Sequence, residues 1–116
     1  MSQQDPRSSS LPSASGAPLR STFADDPEMR ELVEMFVQEM PERIEAIRTA
    51  FDGAEMARLK TLSHQLKGAS AGYGFAPLGE AAGKVEDAVR SAPDELSAIR
   101  ARVDELLEVC RRVTFG

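Results

Sequence analysis

A single histidine, His64, occurs among the 116 residues of this chain, and its neighbours make it the first residue to consider for chemistry. A neutral imidazole, with an unperturbed pKa of about 6.5, is a competent nucleophile near neutral pH. Lys67 follows three residues later and Gly68 four later, the two spacings that bring side chains together on a helix surface. A glycine inside a helix costs about 1 kcal/mol relative to alanine. One gain offsets that cost: with no Cβ at this position, the imidazole stays open to an approaching partner. Lys67 sets a compact positive charge beside the ring. The same residues also read as a solvated surface histidine and lysine, with a glycine accommodating tight helix packing.

Which reading holds depends on the element that carries them. Met56, Leu59, Leu62, Leu66, Ala69 and Tyr73 recur at the period of one apolar helix face. At about 100° per residue, His64 lies roughly 160° from both Leu62 and Leu66, so it points away from the predicted core. Ala57, Lys60, Thr61, Lys67, Gly68 and Ala71 share its outer side. The predicted helix runs from residue 54 to residue 72, with Gly72, Gly74 and Pro77 marking its end.

Upstream, Asp25-Asp26-Pro27-Glu28 reads as a helix start, with Asp25 and Glu28 at capping-box spacing. Leu32, Val33, Phe36, Val37, Met40, Ile44, Ile47 and Phe51 continue as an apolar stripe, which Pro41 interrupts without a change of phase. One kinked helix or two abutting ones are expected, closed by a turn at Asp52-Gly53. A third helix over 77–91 would bury Leu78, Ala82, Val85 and Val89. A fourth over 93–113 would bury Leu96, Ile99, Val103, Leu106, Cys110 and Val113. The expected fold is all-α, an antiparallel up-down four-helix bundle over residues 25–116 with a kink or break at Pro41. No stretch alternates as a strand does. Residues 1–24, with seven serines and three prolines, read as a disordered tail or linker.

Composition narrows the function classes. The net charge of −5 argues against a nucleic-acid partner, which needs clustered Lys and Arg. The lone cysteine, Cys110, has no partner for an internal disulfide and falls on an apolar helix face, as a small buried hydrophobe would. One histidine and one cysteine offer no metal site of familiar spacing, and no phosphate-binding glycine loop or calcium loop is present. No apolar run approaches the roughly 18 residues of a membrane span, and the N-terminus lacks a signal-peptide layout. A cytoplasmic protein without a membrane partner is expected.

His64-Gln65-Leu66-Lys67-Gly68, with Gly74 ten residues after the histidine and Leu78 four beyond that, resembles the signature of histidine-containing phosphotransfer (HPt) domains. The likeness extends over residues 27–113, all but the tail. It implies a phosphorelay intermediate: His64 takes a phosphoryl group, on Nε2 in the family, from the phospho-aspartate of a receiver domain and passes it to a second receiver aspartate. Lys67 would offset phosphate charge and Gly68 would give steric clearance. Lys60, Thr61, Ala57 and Ala71 would belong to the surface on which a receiver docks. Glu86 stands where some chemotaxis-type relatives place a glutamate that orients the histidine, although a solvated charge is the simpler reading. Those relatives often carry a further histidine where Gly83 stands here, and this chain departs from them at that point. The resemblance implies response-regulator receiver domains and a hybrid sensor kinase as partners, a monomeric carrier without ATP-dependent kinase activity, no cofactor of its own, and Mg2+ on the receiver. Two other readings remain: a helical interaction module without covalent chemistry, and the phosphorylatable domain of a larger hybrid or chemotaxis-type sensor kinase.

Overall fold

A computed structural model describes residues 17–115. Five helices form it: α1 (Arg30–Gln38), α2 (Met40–Asp52), α3 (Met56–Gly72), α4 (Ala76–Ser91) and α5 (Leu96–Arg112). The all-helical expectation holds, and the first expected helix is two abutting ones, broken at Pro41. Proline has no N–H to give the carbonyl of Val37, and the chain breaks there into two helices joined through Glu39. The N–H of Glu39 reaches the carbonyls of Met35 and Phe36, both at 3.2 Å, and Pro41 falls in the first turn of α2, where a missing donor costs nothing.

The core is one cluster drawn from all five helices, including Val33 and Phe36 from α1, Ile47 from α2, Leu59 and Leu66 from α3, Leu78 and Val85 from α4, and Ile99 and Leu106 from α5. Helix α4 packs against both α3 and α5, and α2 packs against α3 and α5. Phe36 stacks its ring 5.4 Å from that of Phe75 and tilts against Tyr73 at 5.1 Å, which seats α1 over the α3–α4 turn. Leu32 and Leu96, expected in the core, are 44% and 50% exposed.

Several local expectations are corrected. The first helix begins at Arg30; instead of a capping box at Asp25, the Asp26 carboxylate accepts the Glu28 N–H at 2.9 Å in an Asx turn. Ala54 has φ +57, which delays α3 to Met56. The chain also holds a short strand pair that no sequence pattern announced: β1 (Leu19–Arg20) lies parallel to β2 (Val113–Thr114), with Leu19 opposite Val113. Helix α5 accordingly ends at Arg112, and Val113 is extended.

The tail reading of residues 1–24 meets the described structure only over 17–24, and there the chain is packed. Ser21 and Ala24 are buried. The Thr22 N–H bonds the Gly74 carbonyl at 2.9 Å, the Ser21 hydroxyl donates to the Tyr73 carbonyl, and Arg112 Nε donates to the Ala17 carbonyl at 2.9 Å. The rest of that reading, residues 1–16, lies outside the described residues.

Candidate phosphotransfer site on helices α3 and α4

Helix α3 faces α4 with small residues. Ser63 and Ser70 are fully buried on it, alongside Leu59 and Leu66. A Cβ added at Gly79 of α4 would sit 3.4 Å from the Lys67 carbonyl and 3.5 Å from Ser70 Cβ. The two backbones therefore approach closely, and that approach brings a residue of α4 within reach of the outer face of α3.

That residue is Glu86. Its side chain is only 5% exposed, whereas His64 is 69% exposed, and their contact, Nδ1 to Oε2, is 2.9 Å. An ionised carboxylate only accepts hydrogen bonds, so Nδ1 carries the proton in this pair. The neutral ring then has its lone pair on Nε2. Lys67 Nζ lies 3.6 Å from the other oxygen, Oε1, a charge contact too long for a hydrogen bond. A Cβ at Gly83 would come 3.4 Å from Lys67 Cδ, so this glycine gives the lysine stem room to cross α4. Arg90, one turn further along α4, donates to Oε2 at 2.7 Å and to Asp87 at 2.9 Å.

Burial is the largest influence on the Glu86 carboxyl and works against its charge. The hydrogen bond and charge of His64, followed by the charges of Lys67 and Arg90, outweigh it together and hold the pKa below the ordinary value of 4.5. Glu86 is therefore an anion at neutral pH and the acceptor of the Nδ1–H. Reading Glu86 as a solvated charge is incorrect: the carboxylate lies under the histidine.

The structure brings together His64, Lys67 and Glu86. Gly68 is exposed beside them, and a Cβ there would meet nothing within 4 Å, so tight helix packing does not explain this glycine. Ala57, Lys60, Thr61 and Ala71 are exposed on the same helix; the Thr61 hydroxyl is turned back onto the Ala57 carbonyl at 3.1 Å. Arg90 and Asp87 were missed. Their signal was present, since Glu86 and Arg90 are spaced i, i+4 as stabilising helix pairs are. On α5, burial pushes the Cys110 thiol up to about 12, which leaves it a neutral packing group. Among the described residues no cluster of His, Cys, Asp and Glu has metal-holding geometry, and no helix is long and apolar enough to cross a membrane.

The family model of the Hpt domain matches residues 31–111, from the first turn of α1 to the last turn of α5. The chain belongs to the Hpt-domain family. No curated protein and no solved structure matches it. Hpt domains carry phosphoryl groups on histidine in phosphorelays, with response-regulator receivers as partners; they are carriers and not kinases.

Proposed function

We propose that His64 is the phosphoacceptor of this Hpt domain, taking the phosphoryl group of a receiver phospho-aspartate and delivering it to the aspartate of a second receiver. The observation that carries the reading is the exposed imidazole whose Nδ1 is bound to a buried carboxylate, which leaves Nε2 as the nitrogen with the free lone pair. In the transfer, that lone pair forms the N–P bond as the P–O bond to the receiver aspartate breaks, and the aspartate leaves as a carboxylate. The Nδ1 proton stays in place, and Glu86 offsets the positive charge that develops on the ring. Lys67 contributes a compact positive charge for the phosphoryl oxygens. Gly68 keeps the approach clear, and the exposed Ala57, Lys60, Thr61 and Ala71 extend the surface on which the receiver sits.

The receiver's own Mg2+ supplies charge on the partner's side, and this chain acts as a monomer without a cofactor. A hybrid sensor kinase that carries a receiver domain fits as donor. Because His64 is the only histidine, the test is direct: wild type and His64→Gln are incubated with phosphorylated receiver domains from the same organism, and the product is assayed for acid-labile, alkali-stable phosphate. Label on wild type and none on the variant is the expected result. Binding without label from any receiver would make the protein an interaction module.

A further inference from the structure

Glu86 is surrounded by three cations or donors, and they are not equivalent. From α3, His64 and Lys67 face it; from its own helix, Arg90 does. On α5, which packs on the other side of α4, Arg102 is paired with Glu105 at 2.8 Å. His64 and Arg90 share Oε2, at 2.9 and 2.7 Å. Oε1 has no hydrogen-bond partner among the described residues and only the distant Lys67 ammonium near it. Lys67 is therefore the weakest-held of the three, and it sits next to the nucleophile.

A phosphoryl group on Nε2 would draw that ammonium away, since a dianionic phosphate offers a stronger charge-assisted bond than a 3.6 Å contact. The carboxylate left behind is buried, and a buried charge deprived of its counter-charge is costly. Arg90 removes that difficulty. Its guanidinium holds Glu86 with one arm and Asp87 with the other, a forked grip that a planar five-donor group provides and an ammonium does not.

Resting on the phosphoacceptor reading of His64, we propose that Arg90 is a positioning residue: it keeps the Glu86 carboxylate neutralised and aimed at Nδ1 while Lys67 leaves it for the phosphoryl group. The hydrogen-bond partners of Arg90 are Glu86 and Asp87. Arg90 acts through Glu86 on the tautomer of His64 and on the freedom of Lys67.

The test uses the whole chain as wild type, Arg90→Gln and Arg90→Lys, with phosphoramidate as a small phosphoryl donor, so no partner protein enters. Two quantities are read: the rate of labelling at His64, and the 15N spectrum of the sole imidazole, which reports how much of the ring carries its proton on Nδ1. Arg90→Gln is expected to label roughly fivefold more slowly and to show a mixed tautomer, the size of effect of a charge acting at one remove. Arg90→Lys, which keeps the charge and loses the fork, is expected to recover part of both. Equal labelling by wild type and Arg90→Gln, or an unchanged Nδ1–H signal, would overturn the proposal and leave the role of His64 standing. A wild type that takes no label while the Nδ1–H signal responds to Arg90→Gln would overturn the phosphoacceptor reading, and with it the release of Lys67.

Discussion

At the scale of single residues, the site depends on a contrast in exposure. The nucleophile is in solvent, and the group that sets its tautomer is beneath it. His64 could be placed from sequence because the apolar period of its helix fixes the phase of every residue on it. The placement of Glu86 followed from motif spacing alone, and its burial could not, because that depends on how closely α4 approaches α3. Gly68 is the residue whose role is most open to a clean separation of stability from transfer. No atom of the fold lies within 4 Å of the Cβ that alanine would add, so Gly68→Ala is expected to stabilise the protein by about 1 kcal/mol, as helix propensity alone dictates. A longer side chain at the same place, Gly68→Gln, is expected to leave the melting temperature at or above that of wild type and to lower transfer from a receiver at least about tenfold. Urea denaturation and transfer assays on the same preparations check both. A destabilised Gly68→Ala would show that the glycine serves the fold; undiminished transfer by Gly68→Gln would remove its part in clearance.

At the scale of elements, the α3–α4 pair does the positioning, and its packing explains what the sequence left hidden. Ser63 and Ser70 are buried where an apolar count skips them, because close backbone approach rewards small side chains whatever their polarity. The stripe of leucines was legible, and the narrow seam beside it was not. The turn joining the two helices is set by Gly74, whose φ is +83, a conformation disfavoured for residues with a Cβ. A Cβ here would also come within 2.6 Å of the hydroxyls of Ser21 and Thr22 and within 2.9 Å of Phe23 Cδ2. Gly74→Ala is therefore expected to destabilise the protein by about 2 kcal/mol, from backbone strain and displacement of the segment above it. Thermal unfolding monitored by circular dichroism measures this. A loss below about 0.5 kcal/mol would mean that the turn relaxes freely.

At the scale of the whole molecule, the two ends of the described chain meet. Residues 17–24 cross the α3–α4 turn and pair with the segment after α5, so the first and last parts of the described chain close over the same end of the bundle. Composition concealed this. The segment shares the Ser and Pro content of what precedes it, and its attachment uses backbone bonds, one buried serine and a few half-buried apolar groups such as Leu19 and Phe23, none of which leaves a period to read. Helices announce themselves through repeated contacts, whereas a strap held at single points does not. Its worth is the burial and hydrogen bonding it adds less the cost of ordering eight residues, which leaves a net contribution of about 2 kcal/mol. A chain starting at Asp25 is thus expected to unfold roughly 10 °C lower than a chain starting at Ala17, which keeps every contact named here. The strap packs on Tyr73 and Gly74 beyond the C-terminal end of α3, two helical turns past His64. For that reason, the shorter chain, assayed well below its melting temperature, is expected to accept phosphate from a receiver within about twofold of the wild-type rate. Equal melting temperatures for these two chains would show that the strap contributes nothing to stability. A large loss of transfer in a folded chain starting at Asp25 would show that the strap reaches the site through α3, joining the closed end of the bundle to its chemistry.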